Sequence, residues 1–512
     1  MLFPTLTFAI FFLIVLAVSW RLNSRPRAWK LFMLAASYVF YGWWDWRFIF
    51  LLAATTVVNE VAAIGVFKAS TDGRKKAWIA LGVGFDLLIL GFFKYYGFFI
   101  SSAVNFLDAI GLPSNLPLLE VILPIGISFF TFQAISYVVD VYRKQVSPAP
   151  LLDIAVYLAF FPHLAAGPIV RASEFLPQLR KFRSPDKVDA TRAIMLIGRG
   201  LFKKVVVATY LGVNLVDPVF GNPSDFTAIV VVMAVFAYAV QIYADFSGYT
   251  DIAIGCALLV GIKFPDNFNR PYTAVSIQDF WRRWHMTLSR WLRDYLYIPL
   301  GGNQRGRLAE YRNLFLTMLL GGLWHGASWT FVIWGMYHGV GLAGERWVRD
   351  VHERHQREPD RQPTSMERLA LLYAGRHRSY TWTPDQGPNP LDPIIPRAHI
   401  WRRRIFTFLF VCGGWILFRS ENMSTAWEIF TRIFTGWGGF GILTPMMAFV
   451  VFAALVFQYA PTRWGQRFET RLSRVAPVLQ GALFGIWLWV IDISFDFLVG
   501  PHAVAPFIYF QF

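Results

Sequence analysis

Long apolar segments recur along this chain, and they constrain its fold more than any other feature of the sequence. The first extends from Leu2 to Trp20, which as a helix is long enough to cross the hydrocarbon core of a bilayer, about 30 Å thick. Because lipid offers no hydrogen-bond partner to a bare backbone amide, a spanning segment of this length folds as a helix. We therefore expect an all-α polytopic membrane protein.

Further apolar segments indicate roughly ten to thirteen transmembrane or re-entrant helices in total. They lie near 30–48, 48–67, 77–99, 119–141, 152–170, 193–215, 225–262, 312–345, 401–419, 440–460 and 476–498. Two stretches interrupt the pattern: 263–312 is rich in Arg, Trp, Pro and Gly, and 346–404 is polar. We expect the second stretch to be a cytoplasmic loop, partly disordered. No internal repeat is recognisable, so 1–512 is treated as one membrane domain.

The composition supports this class and excludes others. Hydrophobic residues make up 55% and charged residues 16% of the chain, whereas soluble domains carry about 25% charge. Lys and Arg exceed Asp and Glu by 48 to 32, but they collect in loops between apolar segments, so no nucleic-acid partner is expected. The only cysteines, Cys256 and Cys412, form neither a disulfide framework nor a metal-binding pair.

The loop charges also predict the orientation in the membrane. Basic residues follow the first span, precede the fourth in 68–76 and follow the fifth at Arg143 and Lys144. By the positive-inside rule these loops are cytoplasmic, and the N-terminus lies outside. The stretch 101–118 contains one acidic and no basic residue, which suits the opposite face.

His325 is the strongest candidate for a catalytic residue. A histidine within a membrane span is costly and suggests function, although a hydrogen-bonded structural histidine is the plainer alternative. Glycines flank His325 on both sides, and Trp324 and Trp329 stand beside it. Small residues let another chain or a substrate approach closely. A neutral imidazole in such a site can take a proton from a hydroxyl nucleophile.

His285 lies in a second candidate segment, in which aromatic and basic residues alternate. One alternative is an interfacial amphipathic helix, with its aromatic stripe among the headgroups and its arginines toward anionic lipid. The same basic cluster suits the phosphates of a nucleotide-type donor. The candidate donor-binding residues of this segment are Trp281, Arg282, Arg283, Trp284 and Arg290.

A third polar cluster, Tyr243–Asp251, interrupts an otherwise apolar span. Asp245 and Asp251 are six residues apart and lie on different faces of a helix, which argues against a glycosidase-like acid pair. We expect a broken helix that lines a cavity, with Asp245, Ser247 and Asp251 as further binding candidates. His338 is expected to be structural, and no metal site is expected because the HExxH pattern is absent.

Several of these motifs together resemble the bacterial branch of the membrane-bound O-acyltransferase family, most of all its alginate O-acetylating members. The resemblance covers nearly the whole chain and is weakest over 346–400 and 420–480. It rests on Leu123–Phe129, Phe161–Pro168, Gln241–Gly255, Asn267–Tyr272, Asp279–Asn303, Leu314–Ser328 and Tyr509–Phe512.

The resemblance implies a bowl of helices around a central funnel, with the catalytic histidine near its neck. His325 matches the family's invariant histidine and His285 its second active-site position. Acetyl-CoA is then the donor substrate, with no bound cofactor, and a periplasmic SGNH-type transferase passes the acetyl group to a polysaccharide. In that mechanism His325 takes the acceptor's proton or carries the acetyl group transiently, and His285 orients or polarises the thioester carbonyl.

Other functions remain open at the level of sequence. Within the same chemistry, the acceptor is an alginate-like polysaccharide or a cell-wall polymer. The cell-wall alternatives are peptidoglycan, which would be O-acetylated, and teichoic acid, which would receive D-alanine. From another class, a secondary transporter would also use broken helices and buried acids, but matching inverted halves are not apparent. The expected location is the bacterial inner membrane.

Overall fold

The computed structural model describes the whole chain except residues 2, 113–118, 120, 182–183, 360, 375–396, 501–506 and 509–512, and gives only the backbone of 372–374 and 397–398. The motif Tyr509–Phe512 therefore lies outside the described residues. Throughout the described part the regular structure is helical, which confirms the expected all-α class.

The described residues of the first half of the chain form twelve α-helices. They are α1 (Leu6–Arg21), α2 (Pro26–Gly42), α3 (Arg47–Lys68), α4 (Asp72–Leu90), α5 (Tyr96–Ala109), α6 (Ile127–Tyr142), α7 (Leu151–Ala159), α8 (Phe161–Leu164), α9 (Ala172–Leu179), α10 (Ala190–Leu201), α11 (Thr209–Leu211) and α12 (Asp217–Gly221). A π-helical segment, Gly91–Tyr95, joins α4 to α5 into one long helix.

The second half contains eleven described helices. They are α13 (Ala228–Leu259), α14 (Ile277–Trp281), α15 (Met286–Leu292), α16 (Arg307–His325), α17 (Trp329–Arg357), α18 (Ser365–Ala374), α19 (Arg397–Arg419), α20 (Met423–Arg432), α21 (Pro445–Phe457), α22 (Thr462–Leu472) and α23 (Pro477–Leu498). Among the described residues, four helices are long and apolar enough to cross a membrane: α3, the α4–α5 unit, α13 and α23. The pair α21 and α22, bent by 88°, forms a fifth if it is one broken span.

The interior is built around α6 and α13. Nearly all of α6 is buried, and most of α13 is buried as well. This burial explains why both helices tolerate polar residues: their hydroxyl, amide and carboxyl groups face protein rather than lipid. Asp140 of α6, for example, accepts a hydrogen bond from Tyr295 at 2.6 Å.

Glycines allow α16 and α17 to pack backbone against backbone. A Cβ atom on Gly335 would lie 2.6 Å from the carbonyl oxygen of Met318, and one on Gly322 would overlap the carbonyl oxygen of Phe331. Small residues at a helix contact are typical of membrane proteins, because association there depends on close packing. The contact fixes the end of α16, where His325 lies.

Two sequence-based expectations about helix limits were wrong. The expected broken helix around Asp245 is the uninterrupted α13, because Asp245 and Asp251 are both paired with cations of the neighbouring 199–204 segment. The expected polar loop from residue 346 begins later, because α17 continues to Arg357. Ion pairs one turn apart, such as Arg346 with Asp350 at 3.4 Å, support this extension.

Candidate active site

A cavity of about 250 Å³ lies at the end of α16, and His325 forms part of its wall. His325 is the last residue of α16 and is 4% exposed. Most of the remaining wall comes from the segment before α6 and its first turn. The lining residues are Trp44, Lys94, Leu123, Pro124, Ile125, Gly126, Ile127, Ser128, Phe129, Ala165, Trp324 and His325.

A second cavity of about 350 Å³ adjoins the first and shares Trp44, Ile125 and Ala165 with it. Its wall includes Met1, whose amino group donates a hydrogen bond to the carbonyl oxygen of Phe40 at 3.1 Å. The two cavities therefore lie toward the face of the molecule where α1 begins.

Aromatic rings enclose the imidazole of His325. The ring centroids of Trp324, Trp334 and Phe418 lie 4.9, 5.0 and 5.3 Å from that of His325, all nearly edge to face. Such a setting limits the access of water to the imidazole, which can act as a proton acceptor. The expected aromatic-walled site at His325 is thus what the structure contains.

The helix end that carries His325 is capped by two side chains from the π-helical segment between α4 and α5. The Lys94 ammonium donates to the carbonyl oxygens of Trp324 and His325 at 2.6 and 3.0 Å. The Tyr95 hydroxyl donates to the carbonyl oxygen of Leu323 at 2.8 Å. These carbonyls have no partner within the helix, and a cation there also offsets the negative end of the helix dipole. Lys94 and Tyr95 therefore hold the last turn of α16 in position.

Gly326 ends α16 immediately after His325. Its backbone is extended, and a Cβ atom at this position would overlap the ring of Phe331. Ser328 then caps α17 by accepting a hydrogen bond from the amide of Thr330 at 3.3 Å. The predicted span 312–345 is therefore two helices with a tight break at the histidine.

His285 is fully buried and packs against Trp324, which is itself part of the cavity wall. Its ring centroid is 6.1 Å from that of Trp324 and 4.7 Å from that of Phe246. The residue separates α14 from α15 and has a φ of +43°, a left-handed conformation that is unusual for a non-glycine residue. The structure thus packs His285 and His325 against the same indole, although only His325 lines the cavity.

The two candidate tryptophans of this segment lie inside the protein rather than at a lipid headgroup. Trp281 is 5.7 Å from Trp334 and 5.2 Å from His338, ring centroid to centroid. Trp284 is 1% exposed and lies 4.9 Å from Trp415. The alternative of a single interfacial amphipathic helix is wrong here, because the chain turns at His285 and the aromatic stripe is buried.

The three candidate arginines lie away from the His325 cavity. Arg283 forms an ion pair with Asp279 at 2.8 Å, and Arg290 one with Glu174 at 3.5 Å. Arg282 is exposed. Their suitability for donor phosphates stays a prediction.

The polar residues of α13 bind cations of the neighbouring 199–204 segment. Asp245 pairs with Lys204 at 2.5 Å and accepts the amide of Ile508 at 2.7 Å. Asp251 pairs with Arg199 and Lys203, and Lys203 also donates to the Ser247 hydroxyl at 2.8 Å. These contacts tie α13 to its neighbour, and a role in substrate binding stays a prediction.

The other buried histidines have partners that suit a structural role. His338 accepts a hydrogen bond from Trp281 at 3.4 Å, and its Nε2 faces Gly414, whose Cβ atom would lie 2.7 Å away. His163 donates from Nε2 to the carbonyl oxygen of Tyr157 at 2.8 Å. His377 and His502 lie outside the described residues.

Sequence reasoning missed two polar residues of this site, Lys94 and Asn267. Lys94 could have been found from the sequence, because a lysine within an apolar segment indicates function as strongly as an isolated acidic residue does. Asn267 accepts a hydrogen bond from His285 across 18 residues and was seen only as part of a motif.

Comparisons with known proteins show the family of this chain. The family model described as MBOAT, membrane-bound O-acyltransferase family, matches residues 85–363, which include Lys94, His285 and His325. The chain belongs to the membrane-bound O-acyltransferase family. It is therefore an O-acyltransferase and a multi-pass membrane protein, and the family decides between the enzyme and the transporter that the sequence left open.

Individual relatives of this O-acyltransferase cover most of its length. A probable alginate O-acetylase AlgI from Azotobacter vinelandii is 40% identical over 80% of this chain and 74% of its own. The protein of the same name from Pseudomonas putida is 37% identical over the full length of both chains. A peptidoglycan O-acetyltransferase from Helicobacter pylori is 36% identical over 78% of this chain and 72% of its own.

Proposed function

We propose that this O-acyltransferase lies in the bacterial inner membrane. There it moves acetyl groups from cytoplasmic acetyl-CoA toward an extracellular alginate-like polysaccharide. The observation that carries the proposal is the position of His325, at the wall of a cavity toward the face where α1 begins. The names of the relatives, which refer to alginate and peptidoglycan O-acetylation, suggest that the transferred group is acetyl and that the acceptor is a polysaccharide.

The face of the molecule opposite to the start of α1 suits an anionic donor. Arg143 and Arg171 both bind Asp294, through hydrogen bonds of 2.9 and 2.7 Å, and Arg293 is exposed beside them. Arginine binds phosphate with several directed hydrogen bonds. Since the positive-inside rule places these residues in the cytoplasm, CoA would approach from this face.

The chemistry is acyl transfer between sulfur and oxygen. The acceptor hydroxyl attacks the thioester carbonyl carbon, so a C–O bond forms as the C–S bond breaks. His325 takes the hydroxyl proton and returns it to the departing CoA sulfur. General-base catalysis of this kind contributes about 10²–10⁴-fold to the rate.

The acceptor hydroxyl would come from outside the membrane, from the serine of a periplasmic SGNH-type transferase that passes the acetyl group to the polymer. The position of the cavity toward the N-terminal face supports such a route. Peptidoglycan is the second candidate polymer, because a peptidoglycan O-acetyltransferase is among the relatives. Mass spectrometry of both polymers from cells with and without the protein separates the two.

Acyl transfer from labelled acetyl-CoA tests the proposal in the purified protein. Reconstituted in a bilayer, the wild type should transfer label from acetyl-CoA to an added hydroxyl acceptor and release free CoA, whereas His325→Gln should not. His355→Gln is a matched control, because His355 is an exposed histidine of α17. Absence of transfer by wild-type protein with every acceptor tried would refute acetyl-CoA as the donor.

A further inference from the structure

The side chain of Asn267 accepts three hydrogen bonds on one atom. The donors are the amide of Thr287 at 3.2 Å, the hydroxyl of Thr287 at 2.9 Å and Nδ1 of His285 at 3.1 Å. Because a backbone amide can only donate, the atom of Asn267 that it faces is the carbonyl oxygen and not the amide nitrogen. The Thr287 hydroxyl oxygen in turn accepts a hydrogen bond from the amide of Ile169 at 2.9 Å. The hydroxyl proton of Thr287 is therefore left to be donated to Asn267.

This arrangement determines the proton on His285. An amide oxygen carries no proton, so Nδ1 of His285 must be the donor in its contact with Asn267. In a neutral imidazole the other nitrogen, Nε2, then has a free lone pair. His285 is fully buried, and its Nε2 has no hydrogen-bond partner among the residues that the structure describes. A buried acceptor of this kind requires an explanation, and function is one.

The backbone around His285 is held as tightly as its ring. The left-handed φ of +43° is a strained conformation, and such strain persists only where surrounding contacts impose it. Two backbone hydrogen bonds do so: Met286 donates to Asn267, and Asn269 donates to Arg283, each at 2.9 Å. The segment 267–269 therefore fixes both the turn and the ring of His285.

We propose that Asn267 is a positioning residue that holds His285 in the Nδ1–H tautomer, so that Nε2 serves as a hydrogen-bond acceptor during acyl transfer. The catalytic part of this inference rests on the proposed function. It changes the expected role of His285. While Nδ1 is bound to Asn267, a neutral His285 has no N–H left to polarise a thioester carbonyl, and its free nitrogen can only accept.

Solid-state NMR of the protein in lipid tests the tautomer without any assay of activity. With ¹⁵N-labelled histidine, the signals that disappear in His285→Gln should show a protonated Nδ1 and an unprotonated Nε2. The pattern should change in Asn267→Leu, which has a similar shape and no acceptor. A protonated Nε2 with a bare Nδ1 in the wild type would overturn the proposal.

Turnover of the Asn267 variants tests the consequence. Asn267→Leu should lower kcat at least about tenfold with little change in KM, as loss of a tautomer-fixing partner does elsewhere. Asn267→Asp should keep most of the wild-type kcat, because a carboxylate oxygen also accepts the Nδ1 proton. Asn105→Leu is the matched control, since Asn105 is an exposed asparagine of α5 and lies outside this segment.

The variants also separate this inference from the proposed function. Thermal unfolding and gel filtration in detergent identify any variant that fails to fold. If folded Asn267→Leu keeps the wild-type kcat, or folded Asn267→Asp is as slow as Asn267→Leu, Asn267 does not act through His285. If the wild type itself transfers no acetyl group, the proposed function fails, and the NMR result still decides the tautomer.

Discussion

At the scale of the residue, the site consists of polar groups that stand in an apolar interior. His325 and His285 could be singled out because each is a titratable residue within an apolar or aromatic segment, where function is a common reason for its presence, and their catalytic roles stay predictions. Lys94 and Asn267 could not be assigned in the same way. The carbonyls that Lys94 binds lie 230 and 231 residues further along the chain, and a contact of that range leaves no local pattern.

We expect Lys94→Met to lower kcat by about tenfold or more, because charge-assisted hydrogen bonds contribute about 1.5–3 kcal/mol and two of them hold the turn of His325. Acetyl-CoA turnover by the reconstituted protein measures the effect. Lys68→Met is the control, since Lys68 is exposed at the end of α3. Wild-type kcat in folded Lys94→Met would show that the cap does not matter for catalysis.

At the scale of the element, apolar length predicted where helices occur but not where they break. The segment 312–345 has the length of one span, yet the crowding of Phe331 against Gly326 divides it next to His325. The middle of the segment 225–262 contains two carboxylates, Asp245 and Asp251, yet 228–259 is one helix because Lys203, Lys204 and Arg199 neutralise them. Both outcomes depend on tertiary contacts, which a one-dimensional pattern does not contain.

The contact between α16 and α17 should be sensitive to a single methyl group. Gly335→Ala would bring a Cβ atom within 2.6 Å of the carbonyl oxygen of Met318, so we expect a loss of roughly 1–3 kcal/mol of unfolding free energy, as overpacking costs elsewhere. Thermal unfolding in detergent measures it. Gly344→Ala on the same helix meets nothing within 4 Å and should be neutral or slightly stabilising. Equal melting temperatures for the two variants would contradict this packing.

At the scale of the whole molecule, the helical class and the family were within reach of the sequence, because hydropathy and several separated motifs point the same way. The arrangement of the cavity could not be predicted from the sequence. Its wall combines Trp44, Lys94, the segment 123–129, Ala165 and Trp324–His325, which the fold alone brings together. Two adjoining cavities lie on the face where α1 begins, and the expected central funnel stays a prediction.

The orientation of the molecule in the membrane is testable by cysteine labelling of intact cells. A membrane-impermeant thiol reagent should miss Arg74→Cys and Arg305→Cys, because basic loops remain in the cytoplasm. It should reach Arg47→Cys, which lies at the opposite end of α3. The native Cys256 and Cys412 are buried and give little background. Strong labelling at residue 74 would reverse the proposed topology.

The central claim is that His325 performs the acyl transfer, and polymer acetylation in cells that lack the chromosomal copy tests it most directly. His325→Ala, matched to wild type in membrane level and thermal stability, should leave the polymer without detectable acetyl groups, whereas the control His355→Ala should restore wild-type acetylation. The reason is that no other described group on the cavity wall offers an imidazole at the end of α16. Near-normal acetylation by the His325→Ala protein would contradict the account.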